Sequence, residues 1–255
     1  MMRAIVRQPS PLMADSCELT HVERSPIDMD KALSQHHGYA AALKGLGAAI
    51  TILPPLAGHA DCAFVEDPLL VLPELVIATR PGALSRRAEG ASLLTAAPQD
   101  RLLALMDGAA TLEGGDVLRV GRTLYVGHGT RTNAAGIEAL RQLTAPHGYS
   151  VVAVSVPGAL HLKTALTALA PDLFVANPAW LDTGQLVGTR ILKVDPAEPF
   201  AANILPVGGV ILSAAAHPRT SDSIRTAGFS VHSVDISEFA KAEAGLTCLS
   251  LLWDE

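Results

Sequence analysis

With 255 residues, 49% of them apolar and only 17% charged, the chain has ample material for a large core and little for disorder. A net charge of −6 with no Lys/Arg cluster argues against nucleic acid as a partner. The apolar stretch before Arg7 is too short for a signal peptide and no run reaches the length of a membrane span, so no membrane partner and a cytoplasmic location are expected. No Pro/Ser/Gly-rich linker divides the chain, which reads as one domain over 1–255. The three cysteines, Cys17, Cys62 and Cys248, have neither even number nor metal-ligand spacing. They point to a reducing compartment, free thiols and no metal site.

In chain order, residues 2 to 7 form a first strand, and Ser10 to Asp28 is an aperiodic loop containing Cys17, Leu19 and Thr20. Asp28 or Asp30 caps a helix through about Leu46 with Gly47 as its stop, and Ala49–Leu53 is a strand ended by Pro54-Pro55. Asp61, Glu66 and Asp67 follow on extended chain, because Pro68 disfavours helix at the residue before it. Next comes a hairpin, Leu69 to Leu72 and Leu75 to Thr79, then Arg80-Pro81-Gly82 and a helix carrying Ser85-Arg86-Arg87.

The same order returns twice. Glu113-Gly114-Gly115-Asp116 precedes a hairpin (Val117 to Val120, Thr123 to Val126), and Thr130-Arg131-Thr132-Asn133 opens a helix to about Leu143. Phe200 to Asn203 precedes another hairpin (Ile204 to Val207, Val210 to Ser213), and Pro218 opens a helix to Gly228. Between these lie strands at Val151–Val156 and Asp172–Ala176, with His161-Leu162-Lys163-Thr164 between them and the least regular hairpin of the set. Asp67, Glu113, His161, Asn203 and Cys248 stand at the edges of apolar segments at intervals of 46, 48, 42 and 45. Near-constant spacing implies a repeated unit that brings one equivalent position per repeat to a common centre. Five units of about 50 residues, each unable to bury its sheet face alone, close around an axis as an α/β propeller with five pseudo-repeats.

Taken singly, these polar residues have bland readings: Cys248 a buried small hydrophobe, His161 a satisfied structural histidine, Glu113 a turn residue before two glycines, Arg86 and Arg131 surface ion-pair partners. Together they make a reactive set. A thiol acts as nucleophile only as thiolate, an imidazole can hold that thiolate or carry its proton, and a carboxylate can orient the imidazole. Further carboxylates would recognise a cation and paired arginines an anion. A ligand with a guanidinium at one end and a carboxylate at the other fits that list.

Seven blocks in register over nearly the whole chain resemble dimethylarginine dimethylaminohydrolases (dimethylargininases): Phe64 to Pro68, Thr79 to Gly82 with Ser85-Arg86-Arg87, Glu113 to Asp116, Arg131-Thr132-Asn133, His161 to Thr164, Ala201-Ala202-Asn203 and Cys248-Leu249-Ser250. These are guanidino-group modifying enzymes with a five-bladed α/β propeller, or pentein, fold. The resemblance implies a small-molecule methylated-arginine substrate, no cofactor, and hydrolysis to citrulline through a covalent thiouronium on Cys248. It implies that His161 is the acid and base, oriented by Glu113. It also implies that Asp67 supported by Glu66 binds the guanidinium, Arg86 and Arg131 grip the α-carboxylate, Asp61 and the carbonyl near Ala242 meet the α-amino group, and Leu19 lies in a lid. Ala244 before Gly245, where the family often has two glycines, and Cys17-Glu18 before Leu19 depart from the pattern and touch substrate choice. Arginine deiminase shares the chemistry but usually has an aspartate at Lys163 and a longer chain; a non-catalytic propeller binding protein is the alternative of another class. Pairing of two propellers as a homodimer stays open.

Overall fold

The computed structural model describes residues 1–255. Fifteen strands form five three-stranded sheets. In chain order they are β1 (Met2–Arg7), β2 (Ala49–Leu53), β3 (Leu69–Val71), β4 (Leu75–Ala78), β5 (Leu102–Leu105), β6 (Val117–Val120), β7 (Thr123–His128), β8 (Ser150–Ser155), β9 (Leu166–Ala170), β10 (Leu173–Ala176), β11 (Arg190–Lys193), β12 (Leu205–Val207), β13 (Val210–Ala214), β14 (Ser230–Val234) and β15 (Leu251–Asp254).

Every sheet repeats one plan: an inner strand pairs antiparallel with a middle strand, which pairs parallel with an outer one. The antiparallel pair needs only a tight turn, and Gly208 and Gly209 supply positive φ values of 57° and 80° for the turn between β12 and β13. The parallel pair needs a crossover. Helices at Met29–Gly45, Ala134–Thr144 and Pro218–Thr226 make three of the five crossovers, and the first two begin at Asp28 and Asn133, whose side chains accept from Lys31 N and Gly136 N. The ring closes at the termini, because β15 supplies the inner strand for β1 in the first sheet.

The core is divided into five wedges, one between each pair of adjacent sheets. A middle strand is covered on both faces, so its side chains alternate between two wedges. On β10, Phe174 packs into one wedge while Leu173 and Val175 pack into the next. On β4, Val76 is separated in the same way from Leu75 and Ile77. This is why the middle strands read as continuous apolar runs rather than alternating ones. The sheets thus form the expected five-bladed α/β propeller.

Three expectations need correction. Asp61 and Glu66 lie in turns and Asp67 in a bend rather than on extended chain, because the backbone folds back through Asp67 N to Phe64 O and Phe64 N to Asp61 O. The stretch at Ser85-Arg86-Arg87 is a single 3₁₀ turn, Leu84–Arg86, and not the start of a regular helix; Arg86 is buried in it instead of standing at a helix surface. The outer strands β5, β11 and β14 were not legible, since exposed edges such as Ser230-Val231-His232-Ser233-Val234 carry no apolar alternation against a core. No helix is long and apolar enough to cross a membrane.

Candidate active site

Asp67, Glu113, His161, Asn203 and Cys248 each precede an inner strand by two to five residues, before β3, β6, β9, β12 and β15 in turn. The propeller plan therefore gathers them at the N-terminal ends of its inner strands. Four of them, Asp67, Glu113, His161 and Cys248, wall one narrow cavity together with Asp61, Arg86 and Arg131. Asn203 does not reach it. Its amide instead donates to Lys163 O and Thr247 Oγ1 and accepts from Thr247 N, fixing the turn that carries the thiol.

His161 Nε2 lies 2.6 Å from Glu113 Oε2, and both side chains are buried. Burial alone would lower the imidazole's affinity for a proton. The charges of Asp67, Asp116 and Glu113 and the Glu113 hydrogen bond outweigh it and raise His161 to about 9. Burial would raise Glu113, but the bond and charge of His161 and the charges of Arg86 and Arg131 hold it down to about 2. At neutral pH the pair is an imidazolium and a carboxylate. Gly82 N and Arg131 Nη1 complete the surroundings of Glu113 Oε1, at 3.0 and 3.7 Å.

Asp67 Oδ1 accepts from Gly115 N at 3.0 Å, and Oδ2 accepts from Arg86 Nη1 at 2.5 Å. The glycines after Glu113 are required by close approach. A Cβ at Gly114 would sit 2.0 Å from Glu66 O, and one at Gly115 would sit 2.7 Å from both Asp67 Oδ1 and His161 Nδ1. Their turn-residue reading is replaced by a steric one.

The two arginines differ. Arg86 donates to Asp67 and Glu89 and to the carbonyls of Asp61 and Phe64. It is a buried charge already matched by carboxylates, not a surface cation. Arg131 has its guanidinium 3.7 Å from Glu113 Oε1 and 3.3 Å from Thr20 Oγ1. It has the freer donors facing the cavity.

Cys248 lies in a 3₁₀ turn, Thr247–Leu249, with Gly245 N donating to its sulfur at 3.4 Å. Burial, then the charges of Asp67 and Glu66, push the thiol well above its ordinary value. At rest Cys248 is a neutral thiol. Glu66 is near but faces away: Lys163 Nζ, at 2.5 Å, and Thr247 Oγ1, at 2.8 Å, hold it on the far side from the cavity. Asp61, raised to about 6 by burial against the opposing Arg86 charge, accepts from Glu18 N. Leu19 packs on the core beneath this segment and does not wall the cavity.

Several functional neighbours escaped sequence reasoning. Asp116 accepts from Leu162 N and Thr132 Oγ1, tying the His161 turn to the Glu113 blade. Glu89 neutralises Arg86, and Glu18 and Glu243 line the cavity. Asp116 carried a signal as the fourth residue of its block, and Glu18 as part of the departure before Leu19. Asp67, Glu113 and His161 each offer a metal-ligand atom within 4.8 Å of one another. That set is already balanced by the His161–Glu113 and Arg86–Asp67 pairs, and its donors are engaged.

A buried neutral thiol beside an imidazolium–carboxylate pair, in a cavity with carboxylates and an available arginine, suits attack on a cationic carbon. Comparisons with known proteins agree. A family model described as arginine deiminase matches residues 103–204. The chain is 41% identical to the N(G),N(G)-dimethylarginine dimethylaminohydrolase of Streptomyces coelicolor, covering 98% of this chain and 96% of that one. Among solved structures, a cysteine-to-serine variant of the Pseudomonas aeruginosa enzyme complexed with citrulline superposes with a TM-score of 0.92 at 32% identity, covering 98% of each chain. A histidine-to-glycine variant of a dimethylarginine dimethylaminohydrolase, as an adduct with S-methyl-L-thiocitrulline, gives 0.93 at 32% identity, covering 98% of this chain and 99% of that one. The chain belongs to the dimethylarginine dimethylaminohydrolase family.

Proposed function

We propose that this protein hydrolyses Nω-methylated arginine, asymmetric dimethylarginine or the monomethyl form, to citrulline and dimethylamine or methylamine through a covalent thiouronium on Cys248. The observation that carries the reading is the buried His161–Glu113 pair, 2.6 Å apart, facing the same cavity as the neutral Cys248 thiol. The enzyme works in the cytoplasm and needs no cofactor for this hydrolysis.

The guanidinium enters beside Asp67 and Glu113, whose negative charges fix its planar nitrogens over the sulfur. Its positive charge offsets the charges that hold the Cys248 proton on, and the thiol gives that proton to solvent. The thiolate forms a bond to the guanidinium carbon, giving a tetrahedral adduct. His161 donates its proton to the dimethylamino nitrogen as the C–N bond breaks, and dimethylamine leaves. His161, now neutral, takes a proton from water as the hydroxide adds to the thiouronium carbon. The C–S bond then breaks, the carbonyl of citrulline forms as the hydroxyl loses its proton to solvent, and the departing thiolate takes up a proton to restore the resting thiol. Arg131 binds the α-carboxylate, Asp61 and the carbonyl near Ala242 bind the α-amino group, and Arg86 orients Asp67 from its buried position.

A second reading, hydrolysis of arginine itself, is favoured by the match of residues 103–204 to the arginine deiminase model. Lys163 stands against it, because its ammonium is paired with Glu66 where a deiminase usually has an aspartate. The test is product identity. Incubation with asymmetric dimethylarginine should release citrulline and dimethylamine, absent with Cys248→Ser. Citrulline and ammonia from arginine, with no dimethylamine from the methylated substrate, would replace the first reading by the second.

A further inference from the structure

Glu243 is the only non-glycine residue in the chain with a positive φ, 59°. Left-handed backbone is costly for a long side chain and persists where something else is gained. Here the conformation turns the carboxylate toward the irregular segment Glu18–His21 rather than to solvent. Thr20 N donates to Oε2 at 2.7 Å, and His21 N donates to Oε1 and Oε2 at 3.1 and 3.2 Å. Glu243 is 8% exposed, although both lid amides belong to exposed residues.

The same segment is pinned on its other side. Glu18 N donates to Asp61, Ser85 Oγ donates to Glu18 Oε1 at 2.5 Å, and Arg131 Nη2 reaches Thr20 Oγ1. Apart from Ser85, those partners are the groups assigned above to the amino and carboxylate ends of the substrate. Glu243 also borders the cavity, but both its oxygens are engaged by the Thr20 and His21 amides and it is not among the groups assigned to the substrate's ends. It lies two residues before Gly245, whose N–H donates to the Cys248 sulfur.

We propose that Glu243 is a positioning residue: a carboxylate latch that holds residues 18–21 over the cavity and prepays the ordering of that segment before an amino-acid substrate binds. It rests on the reading that the cavity takes a methylated arginine. A latch of this kind raises affinity for ligands that need the ordered segment and leaves bond-making at Cys248 alone. A bare methylated guanidine, lacking the amino and carboxylate groups that meet the segment, gains nothing from it.

The test uses Glu243→Gln, which keeps the size but turns one acceptor oxygen into a donor facing the His21 N–H. Amide hydrogen exchange of the free protein should show Thr20 and His21 exchanging about tenfold faster or more, with Leu162 and Gly82 unchanged. With asymmetric dimethylarginine, KM should rise about tenfold with kcat within about twofold, while kcat/KM for N,N-dimethylguanidine follows wild type. Glu243→Asn, which tolerates left-handed backbone but cannot reach Thr20, should behave alike and serves if the Gln variant misfolds. Unchanged exchange at Thr20 and His21 in the variants overturns the latch, as does an equal loss with the bare guanidine. If the wild type processes no methylated arginine, the functional reading fails while the exchange data still decide the latch.

Discussion

His161 and Glu113 come from different blades, 48 residues apart, and meet at 2.6 Å with neither side chain exposed to water. The Asp67 charge, this contact and the Asp116 charge raise the imidazole to about 9, and the contact helps hold the carboxylate down to about 2. Glu113→Gln removes that anion. The falling alkaline limb of kcat/KM should move to lower pH, because His161 then loses its proton sooner, and the plateau should drop by about 10²–10⁴-fold. A pH–rate profile with an unmoved limb would remove Glu113 from this role.

Gly115→Ala should damage chemistry rather than folding. Its Cβ would press on Asp67 Oδ1 and His161 Nδ1, two groups of the proposed site. A displacement of under an ångström at that point should lower kcat by roughly a hundredfold. Steady-state kinetics beside a thermal melt separate this from unfolding.

The ion pair of Lys163 and Glu66 is 2.5 Å long and nearly dry. Lys163→Met leaves a buried carboxylate with only Thr247 to satisfy it, and should cost about 3–5 kcal/mol in urea unfolding. Adding Glu66→Gln should recover much of that loss, since the uncompensated charge, rather than the missing bond, is the larger cost.

His36 is fully buried on the helix Met29–Gly45, and neither ring nitrogen finds a partner. Burial, then the neighbouring His37, lower it from 6.5 to about 4. A group whose folded value is depressed below its unfolded one loses stability as pH falls. Here the loss begins near 6.5, where the unfolded chain first takes up the proton, and runs to about 4. It amounts to roughly 3 kcal/mol. Asp61 and Asp116, both raised to about 6, work in the opposite direction over an overlapping range. The comparison must therefore be between wild type and His36→Leu at matched pH. The variant should gain relative to wild type as pH falls from about 7 to 4.5, by unfolding free energy. A constant difference would contradict it.

Much of the architecture was legible because middle strands such as Leu75–Ala78 and Val210–Ala214 are buried on both faces and leave unbroken apolar runs. The near-constant spacing of Asp67, Glu113, His161 and Cys248 survived because each precedes an inner strand of an equivalent blade. What stayed hidden depends on three-dimensional approach. Arg86 looked like a free cation because Glu89 and Asp67, three and 19 residues away, neutralise it only after folding. Glu66 looked like a substrate ligand because adjacency to Asp67 hides that the turn at Val65 and Glu66 sends the Glu66 carboxylate to Lys163 and Thr247 instead. Glu243 gave no signal, since its left-handed backbone is unpredictable for a residue type that rarely adopts it.

Bond-making at Cys248 can be watched by intact-protein mass spectrometry after rapid acid quench of turnover with asymmetric dimethylarginine. An adduct on Cys248 with the mass of the substrate less dimethylamine is expected, accumulating before citrulline and absent in Cys248→Ser. Dimethylamine released at full rate with no such adduct at any quench time, or turnover retained in Cys248→Ser, would contradict it.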